Sequence, residues 1–300
     1  MTLTVTLPVY NAMPYLEAAV DSVLGQSFQT FEFLIIDDGS TDSSVEYLKS
    51  LSDPRIRLIA RENRGLGATL NELFRLSRTD YVARMDADDI CHPDRLDRQM
   101  AFLESHRDVV VVGTGIEFLA GSGVVSAVPR PVEHEQIRRW LLRKRPGLCH
   151  PTIVVKRSAW ADAGGYRVAR SGEDLDFCLR LCDVGRAANL PEAMYVYRLH
   201  ERSISSTSRD EIQSGYAYAV ACARARERAQ SEPRYAEFCA RWKKRPWWDR
   251  LRDILDDVGE RYYRRALVLK CGGSFARSAA SLIAATACRP HLVFHRLFGF

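Results

Sequence analysis

Short apolar runs alternate with segments of helical periodicity through the first 112 residues of the chain. The predicted strands cover residues 3–7, 31–36, 56–60, 81–85 and 109–112, and the predicted helices cover 15–26, 43–51, 65–76 and 93–105. Such alternation places strands parallel to one another, with helices on both faces of the sheet. The sequence therefore predicts an α/β fold with a doubly wound, mostly parallel sheet.

The pattern becomes irregular after residue 112. Strand segments at 116–128, 152–155 and 194–199 are separated by helices at 133–142 and 173–182, which predicts a second half of mixed strand direction. From Arg209 onward the chain is helical and rich in alanine and arginine. We therefore predict an α/β domain at 1–206 and a helical C-terminal region at 207–300.

Acidic clusters follow two of the predicted strands. The residues are Asp37, Asp38 and Asp42 after the second strand, and Asp86, Asp88 and Asp89 after the fourth. Because parallel strands end at one edge of a sheet, both clusters are expected to face the same crevice. Mg²⁺ and Mn²⁺ prefer carboxylate oxygens and bridge to phosphates, so a divalent cation with a phosphorylated ligand would relieve the repulsion.

Basic residues are concentrated in the C-terminal region. From Arg209 onward there are 18 Lys and Arg against 10 Asp and Glu, whereas residues 1–208 hold 25 basic and 28 acidic residues. After Glu260, seven basic residues and no acidic ones are interleaved with aromatic residues. A tail of this composition is typical of a segment that binds an anionic membrane surface. It is equally typical of a helical cap whose aromatic side chains are buried against the core. No nucleic-acid recognition motif accompanies the charge, so nucleic acid is not an expected partner.

Cysteine usage and hydropathy indicate the compartment. The eight cysteines are scattered without a CxxC pair, which predicts reduced thiols and argues against a zinc site. No signal-type segment begins the chain, and no apolar stretch reaches the roughly 18 residues of a membrane span. We expect a cytoplasmic protein, with peripheral attachment to the inner face of the cell membrane if the basic tail binds lipid.

Four segments, in this order along the chain, resemble glycosyltransferase family 2. They are Pro8-Val9-Tyr10-Asn11, the helical segment at 15–26, Asp37-Asp38-Gly39-Ser40-Thr41-Asp42 and Asp86-Ala87-Asp88-Asp89. The resemblance covers about residues 1–205 and is specific as an ordered set. It implies the GT-A fold, with a Rossmann-like nucleotide-binding half and a mixed acceptor half, and makes 1–206 the catalytic domain. It also implies a transfer that inverts the anomeric centre of a nucleotide-sugar donor.

By this resemblance, residues at the ends of the first, second and fourth strands and in the nearby loops would bind the donor. Asp38 would accept the N–H of a pyrimidine base, and the base and ribose would be flanked by Pro8, Val9 and Tyr10. Arg64 would lie near the nucleotide, and Asp86 and Ala87 near the ribose or the sugar. The Asp37-Asp38-Gly39-Ser40 segment is also typical of a turn and helix cap, so one of its two aspartates is expected to be structural.

The resemblance also implies a metal site and an acceptor side. Asp88, the last Asp of the Asp86-Ala87-Asp88 motif, would bind Mn²⁺ or Mg²⁺, with His200 as a further ligand. Alternate residues of an extended segment point the same way, which would place Asp86 and Asp88 together. Asp89 is expected to cap the helix entered at Pro93. His150 would line the acceptor side, although a core or turn histidine fits equally well.

A pair of acidic residues, Glu173 and Asp174, opens a predicted helix. The helix dipole favours acidic side chains at this position in any protein. In family members with this pair, it supplies the general base, mostly through the Asp, that accepts the proton of the acceptor hydroxyl. We therefore expect Asp174 to be the base with Glu173 beside it, and Asp176 is a further candidate by proximity.

The predicted function is metal-dependent, inverting transfer of a hexosyl or N-acetylhexosaminyl group from a UDP- or dTDP-type donor. The acceptor would be a glycan or lipid-linked hydroxyl, in polysaccharide, lipopolysaccharide or glycolipid synthesis. A sugar-phosphate nucleotidyltransferase shares the topology, but it usually has a glycine- and lysine-rich loop after the first strand. A non-catalytic sugar-nucleotide-binding or membrane-docking module would not need the intact Asp38, Asp86, Asp88 and Asp174.

Overall fold

The computed structural model describes residues 2–120, 123–126, 130–167, 171–199, 209–271 and 275–288. The strands in this part of the chain are β1 (Leu3–Val9), β2 (Phe31–Asp37), β3 (Ile56–Ala60), β4 (Tyr81–Arg84), β5 (Ile90–Cys91), β6 (Val109–Ala120), β7 (Gly123–Ser126), β8 (Val154–Lys156) and β9 (Arg186–Leu199). They form one sheet in the order β3-β2-β1-β4-β8-β6-β9-β5, and β7 pairs with β6.

Helices pack on both faces of this sheet and continue beyond it. Those of the α/β part are α1 (Leu16–Leu24), α2 (Ser44–Ser50), α3 (Leu66–Leu76), α4 (Arg95–Ser105), α5 (His134–Leu142), α6 (Arg157–Asp162) and α7 (Glu173–Val184). The later helices are α8 (Arg209–Glu227), α9 (Tyr235–Lys243), α10 (Trp247–Cys271) and α11 (Phe275–Cys288). A single turn of 3-10 helix covers His150–Thr152.

Strands β1 to β4 form the predicted parallel half. β1 pairs in parallel with β2 and β4, and β2 pairs in parallel with β3. Alternate side chains of β2 enter opposite cores: Phe33 and Ile35 pack with α1 and α4, whereas Leu34 and Ile36 pack with α3 and α7. Burial on both faces explains why these strands read as continuous apolar runs.

The second half of the sheet is mixed, as predicted, but one strand is placed differently. The strand predicted at 109–112 is the start of β6, which extends to Ala120 instead of closing the parallel half. β8 lies between β4 and β6 and is antiparallel to both. The two-residue strand β5 was not predicted, because so short a segment carries no detectable periodicity.

The C-terminal helices divide into two groups by their packing. Helix α8 contributes Ala219, Val220 and Ala223 to the same hydrophobic cluster as α3 and α7. Helices α10 and α11 pack on each other around Tyr263 and Ala285. The predicted boundary near residue 206 lies outside the described residues and stays a prediction. None of the helices described is long and apolar enough to cross a membrane.

Candidate functional site

Asn11 holds the turn after β1 against the loop after β2. Its Oδ1 accepts hydrogen bonds from the backbone N–H groups of Thr41 and Asp42 at 2.7 and 3.3 Å, and its own N–H donates to Ser40 Oγ at 2.9 Å. Asn11 has a φ of 50°, which asparagine tolerates better than most residues. These contacts bring the motifs after β1 and β2 together on one surface at the carboxyl end of the sheet.

Of the residues predicted to flank the base and ribose, only Tyr10 exposes its side chain. Pro8 and Val9 are buried in β1, whereas Tyr10 is 54% exposed. The Val9 carbonyl accepts a hydrogen bond from the Asp38 N–H at 2.7 Å, which aligns the two strand ends. The exposed ring of Tyr10 offers a stacking surface at the place where the sheet binds ligands.

Asp38 is buried and organises the loop that contains Arg64. Its Oδ1 accepts from the Arg64 N–H at 2.8 Å, its Oδ2 accepts from the Gly65 N–H at 2.9 Å, and the Arg61 guanidinium forms an ion pair with Oδ1. A carboxylate has about four acceptor positions, so one remains for a ligand N–H. The side chain of Arg64 is 61% exposed beside this loop.

Asp37 is also buried, and it has fewer contacts than Asp38. Its Oδ2 accepts from the Ser40 N–H at 3.1 Å, which closes the turn that the sequence indicated. Its Oδ1 has no hydrogen-bond partner among the described residues. Both aspartates therefore have structural contacts, and the expected division into one structural and one ligand-binding residue is not apparent in the hydrogen bonds.

The guanidinium of Arg84, at the end of β4, binds Asp86 through two nitrogens. Nη1 donates to Oδ2 at 2.9 Å, and Nη2 lies 2.7 Å from Oδ1. Burial disfavours the charged arginine, but the charge and hydrogen bond of Asp86, together with Tyr166 and Tyr195, outweigh this effect, so the pKa of Arg84 is raised. Burial also raises the pKa of Asp86, against the opposing effect of Arg84. Arg84 therefore supplies a buried positive charge in direct contact with Asp86.

The acidic residues after β4 form a cluster with the geometry of a cation site. Asp86, Asp88 and Asp89 bring carboxylate oxygens within 4.8 Å of one another. Oδ1 of Asp89 accepts from the Arg198 N–H at 2.8 Å, while its Oδ2 is buried without a hydrogen-bond partner in the described part of the chain. Burial, followed by the charges of Asp86 and Asp88, raises the pKa of Asp89 well above its usual value. These residues fit a divalent ion, which takes oxygen ligands of this kind.

Two predictions about this cluster have different outcomes. Asp89 does not cap the next helix, because α4 begins at Arg95 with Asp94 at its N-cap. Asp89 instead joins the loop to β9 through Arg198. His200, the predicted further metal ligand, lies outside the described residues and stays a prediction.

Glu173 and Asp174 occupy the first turn of α7, as predicted. Oδ1 of Asp174 accepts from the Leu175 N–H at 2.8 Å, and its Oδ2 accepts from the hydroxyl of Tyr216 at 3.2 Å. Burial raises the pKa of Asp174, although these hydrogen bonds oppose the shift. Burial, with the charge of Asp174, raises the pKa of Glu173 to about 6. Carboxylates with raised pKa values are stronger proton acceptors once ionised.

Asp176 is the weaker candidate for a base. It is buried, and its Oδ2 is bound by Arg180, whose Nε and Nη2 lie 2.9 and 2.7 Å away. Arg167 approaches the other oxygen at 3.6 Å. A carboxylate paired in this way links α7 to Arg167, and its Oδ2 is already occupied by Arg180.

His150 lies next to the same group of charges. Its Nε2 is 2.8 Å from the hydroxyl of Tyr166, which is itself buried. Burial, together with the charge of Arg84, lowers the pKa of His150 well below its usual value. His150 is therefore neutral, and its predicted role on the acceptor side stays a prediction.

Electrostatic interactions connect the acidic cluster with the pair on α7. Beyond the effect of burial, the charge of Asp174 raises the pKa of Asp86, and the charge of Arg84 acts on both Asp174 and Glu173. Arg84 was not among the predicted site residues, although an arginine at the end of an apolar strand is a usable signal. Tyr216 was not predicted either, because no local sequence signal marks it.

Comparison with known proteins identifies the family. Residues 4–163 match the family described as Glycosyl transferase family 2. The chain belongs to glycosyltransferase family 2. This decides against the nucleotidyltransferase alternative, and the chain is a glycosyltransferase.

Individual relatives agree with the family. EpsE of Bacillus subtilis (strain 168), named as a putative glycosyltransferase, is 37% identical over an alignment of 209 positions that covers 65% of this chain and 72% of EpsE. The O-antigen biosynthesis glycosyltransferase WbnJ of Escherichia coli is 28% identical over an alignment of 214 positions that covers 69% of this chain and 83% of WbnJ.

Solved structures confirm the expected fold. S. aureus TarS 1–349, crystallised in complex with UDP-GlcNAc, has a TM-score of 0.65 and 17% sequence identity, over 97% of this chain and 92% of that one. At this level of identity the likeness supports the fold alone. The predicted GT-A type sheet of this family 2 glycosyltransferase is therefore confirmed.

Proposed function

We propose that this glycosyltransferase transfers a sugar, with inversion, from a UDP- or dTDP-type donor to an acceptor hydroxyl. The observation that carries the proposal is the cluster of carboxylates at the end of β4, where Arg84 binds Asp86, together with the acidic pair on α7 that interacts with this cluster electrostatically. Asp86, Asp88 and Asp89 supply a cluster suited to a cation, and Asp174 supplies a carboxylate close enough to affect the pKa of Asp86. An inverting displacement needs both a leaving-group site and a base on the opposite side of the sugar.

The acidic cluster would hold Mn²⁺ or Mg²⁺, with Asp88 as the principal ligand and His200 as a further one. When bound, the ion would supply charge neutralisation for the nucleoside diphosphate as it leaves. The family supports metal dependence in general, and the three carboxylates with oxygens within 4.8 Å support it in this chain. Arg84 orients the Asp86 carboxylate, because its Nη1 and Nη2 each contact one of the two oxygens.

The nucleotide would bind at the ends of β1 and β2. We propose that Tyr10 stacks on the base or ribose and that the remaining acceptor position of Asp38 takes the N–H of a pyrimidine ring. Pro8 and Val9 shape this part of the site through the backbone, since their side chains are buried. The Arg64 side chain, which is exposed and lies 3.7 Å from the Glu72 carboxylate, would meet a phosphate. Ala87, between Asp86 and Asp88, would lie near the ribose or the sugar.

The chemical step requires a proton acceptor for the acceptor hydroxyl. Asp174 would take that proton while the hydroxyl oxygen attacks the anomeric carbon and the bond to the diphosphate breaks. Glu173, with its pKa raised to about 6, would remain beside it as a second acidic group. The acceptor would bind near His150 and Tyr166.

A donor panel tests this function directly. We expect release of nucleoside diphosphate from a UDP- or dTDP-sugar in the presence of Mn²⁺, and no release from purine-nucleotide sugars. Thermal shift or calorimetry with the same panel measures donor binding independently of turnover. Binding without release, with every acceptor class supplied, would instead support a non-catalytic sugar-nucleotide-binding module.

The acceptor is proposed to be a glycan or a lipid-linked glycan. WbnJ is named for O-antigen biosynthesis, and AmsE of Erwinia amylovora, 28% identical over 187 residues, is named for amylovoran biosynthesis. By analogy, we propose a role in polysaccharide or lipopolysaccharide synthesis. A lipid-linked acceptor would require the enzyme to work at a membrane surface.

The start of α10 offers a surface for such attachment. Trp247 and Trp248 are 68% and 57% exposed, and Leu251 and Ile254 continue the exposed apolar strip. The exposed basic residues around the two tryptophans are Arg241, Lys243, Lys244 and Arg250. Aromatic side chains flanked by cations suit the interface of an anionic bilayer, where each basic residue contributes about 1 kcal/mol. We propose peripheral attachment through this surface.

Vesicle co-sedimentation tests the attachment. We expect binding to vesicles containing phosphatidylglycerol that weakens as salt rises, because the Debye length is only about 8 Å at physiological salt. A Trp247→Ser and Trp248→Ser double variant should lose binding, while Ile283→Ser, an equally exposed apolar site on α11, should keep it. Equal binding to neutral phosphatidylcholine vesicles, or none at low salt, would contradict the proposal.

A further inference from the structure

Helix α8 reaches the proposed catalytic base from the C-terminal side of the predicted domain boundary. The hydroxyl of Tyr216 donates to Oδ2 of Asp174 at 3.2 Å, while Oδ1 accepts from the Leu175 N–H at 2.8 Å. Each oxygen of the carboxylate therefore has at least one donor among the described residues. Two such contacts restrict rotation of the carboxylate about its χ2 bond.

The backbone of α8 is in direct contact with the turn that precedes Asp174. A Cβ on Gly215 would lie 1.7 Å from the carbonyl oxygen of Ser171, and a Cβ on Gly172 would lie 2.8 Å from the carbonyl carbon of Gly215. Gly172 also has a φ of 91° at the N-cap of α7. Only glycine at both positions permits this approach, which brings the Tyr216 hydroxyl within reach of Asp174.

The chemistry of the pair gives each group a distinct role. An ionised carboxylate accepts hydrogen bonds only, so the phenol must be the donor. The negative charge of Asp174, with burial, raises the pKa of Tyr216 well above its usual value. Tyr216 therefore keeps its proton and cannot replace Asp174 as a proton acceptor. The remaining lone pairs of Asp174 stay available for the acceptor hydroxyl.

We propose that Tyr216 is a positioning residue that orients the Asp174 carboxylate toward the acceptor hydroxyl. The proposal rests on the proposed function of Asp174 as the base. It makes α8 part of the catalytic unit, because a chain ending near residue 206 would lack this contact. General-base catalysis depends on such orientation, since the base must meet the hydroxyl proton at hydrogen-bond distance.

Other groups also act on Asp174, and the test has to separate their effects from that of Tyr216. Arg84 on β4 stabilises the ionised form. The other titratable groups that interact with Asp174 are Glu173, Asp86, Tyr166 and Cys178. All of them are unchanged in a Tyr216→Phe variant, which removes one hydroxyl and keeps the ring in the hydrophobic cluster.

Steady-state kinetics across pH, on the full chain, test the proposal. We expect Tyr216→Phe to lower kcat about tenfold on the high-pH plateau, with the donor KM changed less than about twofold. The acid limb should move up by about one pH unit, because a hydrogen bond to the ionised form lowers a pKa. Tyr218→Phe is the matched control: it loses a hydroxyl on the same helix that donates to the Pro233 carbonyl at 3.1 Å. It should leave kcat and the acid limb unchanged.

A double variant separates this proposal from the assignment of the base. If Tyr216 acts through Asp174, Tyr216→Phe should cost nothing further in an Asp174→Asn background. An equal loss in both backgrounds, or an unchanged acid limb in the single variant, would overturn the positioning role. Full turnover in Asp174→Asn alone would instead show that the proposed base is wrong.

Discussion

Asp174→Asn is expected to lower kcat by roughly 10²–10⁴-fold, the usual contribution of a general base. The asparagine keeps the shape of the side chain, and its carbonyl oxygen still accepts a hydrogen bond, so the fold and the donor site should remain intact. Donor affinity, measured by calorimetry, should change by less than about twofold. The loss should appear in turnover, measured as release of nucleoside diphosphate with a saturating acceptor.

The pH profile adds an independent check on this assignment. Burial raises the pKa of Asp174 above its ordinary value of 3.8, so turnover should fall as the pH drops through that raised pKa and protonates the base. Glu173→Gln is the matched variant. The pKa of Glu173 is raised to about 6, and the substitution removes this titrating group. If Glu173→Gln abolishes turnover while Asp174→Asn does not, the base is Glu173. A collapse of donor binding in Asp174→Asn would assign that residue to the donor site.

Asp88→Ala is expected to abolish metal-dependent turnover, with a loss of at least about 100-fold. The reason is that Asp88 belongs to the only group of at least three carboxylate, His or Cys ligands found among the described residues. The thermal shift caused by Mn²⁺ should disappear, and donor affinity should fall, because the phosphates would lose their counter-charge. The melting temperature without metal should be retained or raised, since one like charge is removed from a crowded cluster.

The control for this experiment is Asp94→Ala. Asp94 is an exposed aspartate at the N-cap of α4 and forms no side-chain capping hydrogen bond. The Asp94→Ala variant should keep the turnover and the Mn²⁺ dependence of the unaltered chain. Normal turnover of Asp88→Ala, with the same dependence on Mn²⁺ as the unaltered chain, would contradict the proposed metal site.

Secondary structure in the first half of the chain was predictable because local sequence carries its signal. The strands predicted at 3–7, 31–36 and 56–60 lie within β1, β2 and β3, and the helix predicted at 65–76 is α3. Continuous apolar runs mark strands buried on both faces, and a 3.6-residue period marks helices with one buried face. The position of the motifs at strand ends follows from the same local pattern.

Parts of the site were not predictable, because they depend on contacts between distant segments. Arg84 is buried and acquires its role only through its ion pair with Asp86 and its closeness to α7. The four apolar residues before Asp37 predicted a strand end, but the binding of Asp38 to the backbone at Arg64 and Gly65 required the folded loop. Hydrogen bonds across such separations leave no trace in residue periodicity.

The sequence by itself determined the parallel half of the sheet, the family and the residues at its strand ends. Alternating apolar strands and amphipathic helices have few ways to bury their apolar faces, and a parallel sheet with covered faces is the common solution. Only the tertiary structure decided that β8 lies between β4 and β6, and that Tyr216 of α8 reaches Asp174. These arrangements depend on which distant surfaces fit together. Tyr216 and Asp174 are 42 positions apart in sequence, and no local pattern encodes their contact.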